Sequence, residues 1–221
     1  YGARTLAKLL PKLCAIEGIH WVRLHYLYPD EITDELIDVI ASEPKIVKYL
    51  DIPIQHISDH LLKSMHRRGT GEEIRALFRK LRERIPGLVL RTSLIAGFPG
   101  ETEDEFARSL AFIRKCGFAE MHIFPYSRRP GTPADKMPGQ HGNAVKEARS
   151  RAAIAVAEEM SRAYREALVG SVQSVLFESV EDGLFTGHTP NYVKVYVPGE
   201  GLHNQVRRIR ITGLYKDGLT G

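Results

Sequence analysis

Cysteine is nearly absent from this sequence. Its 221 residues include only Cys14 and Cys116, about a hundred positions apart. That spacing builds neither a disulfide framework nor a cysteine metal site, and such sparse usage fits a reducing cytoplasm. No apolar run approaches the roughly 20 residues of a membrane span. The opening YGARTLAKLL lacks the charged region, apolar core and small-residue cleavage site of a secretory signal. No fixed-length repeat or low-complexity tract occurs. Charge of one sign is only in mild excess, with a formal net charge of +4 and a pI near 9.0, which permits a polyanionic partner without requiring one.

The hydrophobic share of 43% and charged share of 26% are those of a soluble globular protein, and the length suffices for two units, each with its own core. From residue 5 to 128, segments of helical period alternate with short β-branched runs, the pattern of a parallel sheet with helices outside it. The spacing predicts a helix over 5–17, with Leu6, Leu9, Leu10 and Leu13 on one face, and a strand over 21–27. Thr33 caps a helix that Pro44 ends, and a strand follows at 49–55. A short helix after Ser58 and Asp59 ends at Gly69, and another runs from Thr70 or Gly71 to about Arg84. The run 88–97 reads as a strand covered on both faces. Thr102 and Glu105 form a capping box for a helix over 103–115 that Gly117 ends, and a fourth strand spans 119–126.

The Pro/Gly-rich stretch after Tyr126 breaks the repeat. An Ala-rich helix over 144–166 follows, and from Val169 the pattern changes to short strands at 171–179, 193–197 and 205–215, economically a small closed barrel that hides its edges. The expected fold is thus α/β: a partial (β/α) barrel over 1–141, a connecting helix over 142–167, and an all-β barrel over 168–221. Basic residues gather at Arg75, Arg79, Lys80, Arg82 and Arg84 on one helix, which spacing reads first as a solvated face.

In a (β/α) barrel, chemistry sits at the C-terminal ends of the strands. Here those ends read LHYLYPDE, IQHISD, AGFPGE and PYSRRPGTP. Each has a plain structural account: Pro99-Gly100 as a turn, Gln55 and His56 satisfying loop backbone, Tyr126 as a bonded core aromatic. Four polar, glycine-rich ends at one rim together favour a site.

The strings DIPIQHISDHLLKSMHRRGT (51–70), RTSLIAGFPGETEDEF (91–106) and FPYSRRPGTPADKMPGQ (124–140), followed by TGHTPNYVKVYV (186–197), resemble the methylthiotransferase family of radical S-adenosylmethionine enzymes over almost the whole chain. The segment from about Leu168 is similar to the family's TRAM domain, an OB-like barrel, and Tyr1-Gly2 to the tail of its second barrel strand. The resemblance implies a truncated TIM-like radical barrel. It also implies a reaction in which a [4Fe-4S] cluster reduces S-adenosylmethionine to a 5′-deoxyadenosyl radical, which abstracts hydrogen from an unactivated carbon before sulfur and methyl are installed. A second [4Fe-4S] cluster belongs to the family's N-terminal domain. Such cofactors carry the hard chemistry while protein positions them.

By the same resemblance, Gln55 is a candidate for the ribose or methionine portion of S-adenosylmethionine, and SLIAGFPG matches the adenine-supporting GxIxGxxE element at Ile95 and Gly97. Ser93 replaces its first glycine, Gly100 stands at its glutamate, and Glu101 comes one place late. Backbone from Phe124 to Tyr126 is a candidate for the base edge. Arg23 and Arg91 are candidates for a carboxylate or for a core pairing. The family's CxxxCxxC cluster loop falls upstream of Tyr1. Cys14 and Cys116 match no ligand position and read as buried small hydrophobes. The expectation is no metal ligand in this chain and a fragment inert by itself.

For substrate, the resemblance offers two branches, adenosine 37 of tRNA or an aspartate of ribosomal protein S12. The front half resembles the ribosomal-protein branch and the back half the branch acting on threonylcarbamoyladenosine. The expectation leans to tRNA, because Tyr192, Lys194, Tyr196, Arg207, Arg208 and Arg210 interleave aromatics with cations in the TRAM segment. That segment carries five Lys/Arg against five Asp/Glu, so its binding rests on distribution and not on net charge. A non-catalytic RNA-binding module is the reading from another class.

Overall fold

A computed structural model describes residues 4–221, so the expectation for Tyr1-Gly2 lies outside the described residues. Four parallel strands, β1 (Val22–Leu24), β2 (Ile46–Asp51), β3 (Val89–Ala96) and β4 (Glu120–Pro125), pair in the order β1-β2-β3-β4. Helices α1 (Leu6–Cys14), α2 (Asp34–Ser42), α3 (Asp59–Ser64), α4 (Gly71–Arg84) and α5 (Glu103–Cys116) alternate with them. Sequential parallel order with helical crossovers makes a section of a (β/α) barrel wall. Leu90, Leu94 and Ala96 of β3 join Ile37, Leu81, Phe106 and Ile113 of the helices in one core.

Local chemistry sets most element ends. Thr33 Oγ1 accepts the Leu36 N–H at 3.2 Å, and Thr102 and Glu105 close the expected capping box. Thr70 and Glu73 close a second one that the sequence reading left unspecified. Gly117 takes the left-handed conformation at the end of α5.

Several expectations are corrected. The second strand starts at Ile46 and stops at Asp51, because Pro53 has no N–H for the ladder. The first stops at Leu24, two residues before Tyr26 adopts φ 57. Helix α1 buries Ala7, Leu10 and Cys14, leaving Leu9 exposed, so its inner stripe is rotated from the predicted face. The basic cluster on α4 is partly engaged: Lys80 and Arg84 pair with Asp34, and Arg82 bonds the carbonyls of Cys116 and Gly117.

Helix α6 (Asn143–Glu166) runs along β4 toward a second sheet. At about 1.5 Å per residue its 24 residues span about 36 Å, enough to reach from the strand-end rim to that sheet. The second sheet comprises β5 (Val172–Glu181), β6 (Leu184–His188), β7 (Lys194–Val197), β8 (Val206–Arg210), β9 (Gly213–Tyr215) and β10 (Gly218–Thr220), in the order β8-β5-β6-β7-β10-β9. Its end strands β8 and β9 are joined by only Ile211 and Thr212. Across a flat sheet of six strands they would lie about 24 Å apart, beyond the reach of so short a link, so the sheet rolls upon itself. The predicted strand at 205–215 is therefore two. Strand β6 was missed, although Asp182 (φ 49) and Gly183 (φ 80) form the two-residue turn that Asp-Gly favours. Among the described residues no helix is long and apolar enough to cross a membrane.

Candidate active site

The inner face of the parallel sheet is organised in rungs. Tyr49 pairs with Val89 at the N-terminal end. The next rung runs Asp51, Arg91, Glu120 across three strands, followed by Ser93 with His122 and Ile95 with Phe124. Two-residue alternation puts Arg91, Ser93 and Ile95 on one side of β3, which lets the rim be polar while Leu94 and Ala96 fill the core behind it.

At the N-terminal end the face is closed. Val47, Tyr49 and Val89 pack with Trp21 and with Tyr164 of α6. Arg23 reaches the Pro190 carbonyl at 2.9 Å and that of Thr189 at 3.2 Å, and its guanidinium stands 4.6 Å over the Tyr192 ring. This fastens the β6–β7 loop to the barrel wall.

At the C-terminal end the face is open. A hollow of about 270 Å³ lies among Tyr26, Tyr28, Gln55, Arg67, Arg91, Ser93, His122 and Phe124. A second of about 260 Å³ lies among Gln55, Arg67, Ile95, Phe98 and the 132–137 segment. Gln55 and Arg67 border both. Gln55 holds φ 64, costly for a residue with a side chain, because its N–H donates to the Ser93 carbonyl and its carbonyl accepts the Ile95 N–H, each at 2.9 Å. These two hydrogen bonds tie Gln55 to β3, where it lines both hollows.

Three buried carboxylates stand beneath the rim. Glu101, 1% exposed, accepts through Oε1 from His56 Nε2 at 3.0 Å, and through Oε2 from the Gly97 N–H and Arg149 Nη1, each at 2.7 Å. His56 Nδ1 accepts the Ser58 N–H at 3.0 Å, so its ring hydrogen sits on Nε2 and donates to Glu101. Asp51, fully buried, accepts Arg91 Nη1 at 2.6 Å through Oδ2, while its Oδ1 has no partner among the described residues. Glu105 accepts from Ser58 Oγ at 2.6 Å. Burial pushes its carboxyl up, but hydrogen bonds from Ser58, Thr102 and His60 outweigh this and bring it down to about 2.

Of the residues singled out from the sequence for the cofactor, Gln55, Ser93, Ile95 and Phe124 gather around the two hollows. Tyr126 lies to one side, its ring 5.2 Å from that of Phe98 and its hydroxyl buried without a partner among the described residues. Gly97 (φ 73) faces α6: a Cβ there would stand 2.5 Å from Lys146 Cγ, and its N–H is taken by Glu101. The residues proposed for RNA do not form one platform. Tyr196 is 2% exposed and bonded to Asp217, which corrects its reading as a stacking surface, and Lys194 is tied to Glu181 at 2.7 Å. Tyr192 is stacked on His188 at 4.9 Å and has the Arg23 guanidinium 4.6 Å over its ring, yet stays 44% exposed. Arg207 and Arg208 stand exposed on β8 without ion pairs among the described residues, and Arg210 bonds the Gly170 carbonyl. Arg91 takes the core pairing offered for it from the sequence, with Asp51, whereas the other members of the charged rung, Arg67, His122 and the role of Arg149 had not been singled out. Period two in EMHIF carried the signal for Glu120 and His122, opposite Arg91 and Ser93. Burial pushes the thiols of Cys14 and Cys116 up, the latter to about 11.

Residues 3–113 match the Radical SAM superfamily. The ribosomal protein uS12 methylthiotransferase RimO of Lachnoclostridium phytofermentans is 44% identical over the whole chain and 52% of its own length. That of Heliobacterium modesticaldum is 41% identical over the whole chain and 50% of its own length. Among solved structures, coproporphyrinogen III oxidase HemN of Escherichia coli, a radical SAM enzyme, shares the fold at a TM-score of 0.56 and 18% identity, over 84% of this chain and 50% of that one. This chain belongs to the radical SAM superfamily. It spans about half the length of the relatives it matches.

Proposed function

We propose that this chain forms the rear barrel wall and terminal β domain of a methylthiotransferase that modifies ribosomal protein uS12. The observation that carries this reading is the match, over the full chain, to relatives named for that substrate. The alternative of tRNA adenosine 37 draws less support, since Tyr196 is buried and the terminal segment has no net charge. S-adenosylmethionine, when bound beside a reducing cluster, supplies the radical chemistry.

The residues at the rim fit part of that cosubstrate. The hollow beside Ile95 and Phe98 offers apolar walls for a flat base, the outer edge of β4 has no strand partner among the described residues, and the Gln55 amide stands where a sugar or amino-acid tail would lie. They do not fit a cluster, because among the described residues no three His, Cys, Asp or Glu are grouped to hold a metal. This chain's part is therefore to seat the nucleoside, exclude water behind the rungs and hold the substrate carbon.

The test is mass spectrometry of uS12 and of tRNA nucleosides from a strain lacking the gene. Loss of methylthio from uS12 with tRNA unchanged is expected, and the opposite pattern overturns the assignment.

A further inference from the structure

We propose that the groove between α4 and α5, on the outer layer of the barrel wall, is a docking site for an acidic amphipathic helix of a partner protein. The inference goes beyond the function proposed above and does not depend on it.

Helical spacing builds the groove. Arg75, Arg79 and Arg82 recur at i, i+4 and i+7 along α4, and Arg108, Phe112 and Lys115 keep the same period along α5, so each set forms a row on one helix face. The two rows line a hollow of about 460 Å³ over Phe78, Phe112 and Cys116. Seven residues of row cover about 10 Å, the length of two helical turns.

Five cations stand on its walls, and no carboxylate lines it among the described residues. The acids of the two helices cancel only part of that charge. Glu73 and Glu105 close their capping boxes, Glu103 bonds Arg149, and Glu83 lies outside the wall. Glu72 offsets Arg75 at 3.8 Å, and Asp104 offsets Arg108 at 2.7 Å. Arg82 donates to the carbonyls of Cys116 and Gly117, which pins its guanidinium across the groove without neutralising it. Arg79 and Lys115 are exposed and make no ion pair among the described residues. Positive charge at Arg79, Arg82 and Lys115 is therefore left over an apolar floor, and complementarity selects an acidic partner.

The floor decides which acidic partner. Nucleic acid held by stacking needs open ring faces, but Phe78 is 3% and Phe112 7% exposed, and the Arg75 guanidinium already lies 5.5 Å over the Phe112 ring. A protein helix needs no ring face. Its apolar stripe fills a groove between helices while acids on both flanks meet the two cationic rows, and an apolar patch rimmed by arginine is a usual feature of protein contacts. The complementary element is two turns of helix with leucine or phenylalanine on one face and aspartate or glutamate on either side. It would sit on the helix layer, clear of the hollows on the inner face.

The test uses a fluorescent, hydrocarbon-stapled helical peptide with leucine at i, i+3, i+4 and i+7 and glutamate on both flanks, read by anisotropy with the full chain. This peptide should bind, and its all-glutamine counterpart should bind about tenfold more weakly, as the loss of several exposed ion pairs together requires. Arg79→Glu combined with Lys115→Glu should weaken the glutamate peptide by a similar factor and leave the glutamine peptide unchanged, which also reports an intact fold. Arg207→Glu combined with Arg208→Glu, the same change of net charge placed on β8, should leave both peptides unaffected. Bound peptide should slow alkylation of Cys116 by N-ethylmaleimide in proportion to occupancy, which locates it in the groove. Absence of binding by the glutamate peptide, equal binding of the two peptides, or an equal loss in the β8 variant overturns the inference. Single-stranded RNA bound in place of the peptide, and released by Arg79→Glu with Lys115→Glu, also overturns it, by giving the groove to nucleic acid.

Discussion

Glu101 and Asp51 are both carboxylates buried at strand ends of one sheet, yet they are used differently. Glu101 has both oxygens bonded, by a histidine, a backbone N–H and an arginine drawn from three separate segments. Asp51 has one oxygen on Arg91 and the other on nothing among the described residues. A fully satisfied buried charge makes a rigid joint, whereas a half-satisfied one marks a place built for more than packing. The loop after β3 is the joint, and the inner face beside it is the working surface.

The sharpest break of this comparison is Glu101→Gln. It removes the buried charge opposite Arg149, which keeps only the exposed Glu103 at 3.0 Å, and puts an amide nitrogen near either His56 Nε2 or the Gly97 N–H, so about 3 kcal/mol should be lost. Urea denaturation of the full chain measures it. A loss under about 1 kcal/mol would mean that the joint is not held by charge.

Glu105, beside that joint, gives the next effect through pH. Its folded-state carboxyl lies near 2 against an ordinary 4.5, so the unfolded state binds the proton more readily. The resulting stability, of the order of 3 kcal/mol, is full above about pH 4.5 and is lost as pH falls toward 2. Glu105→Gln should flatten the dependence of the urea midpoint between those values. An unchanged slope would assign it to other groups.

Gly97→Ala tests how closely α6 is seated on the joint. The new Cβ adds the cost of a side chain at φ 73 to a 2.5 Å approach to Lys146 Cγ, and a loss of about 2 kcal/mol is expected. Lys146→Ala should recover little, because the Lys146 Cα would still stand 3.1 Å away. Full recovery in the double variant would show that only the flexible side chain was in the way.

The legible and illegible parts of the sequence divide along the same line. Caps, Gly117 and the alternation of helix and strand are local, and Thr33, Thr102 and Glu105 announced them within four residues. The joint is not local: His56, Glu101 and Arg149 meet across more than forty positions each, and no spacing rule links them. Glu101 looked like a motif residue displaced by one place, and the geometry gives the displaced acid its own bond to Gly97. Tyr196 misled because KVYV alternates like an exposed strand, while the rolled sheet buries Val195, Tyr196 and Val197 alike. A short strand in a small barrel is judged by closure, which sequence period does not report.

Asp51→Asn should show the smallest effect and decides the comparison. The substitution removes the charge facing Arg91, but Glu120 remains at 3.8 Å and the guanidinium borders a hollow that water can enter. A surviving counter-charge limits the penalty to about 1 kcal/mol; Arg149 likewise keeps Glu103 at 3.0 Å, so the larger cost at Glu101 comes from setting an amide nitrogen against the His56 or Gly97 N–H in a site closed to water. Urea midpoints of the two variants, measured side by side, give the ratio. If Asp51→Asn costs as much as Glu101→Gln, the inner face is as rigidly closed as the joint, and the unpartnered oxygen is a packing defect instead of part of a working surface.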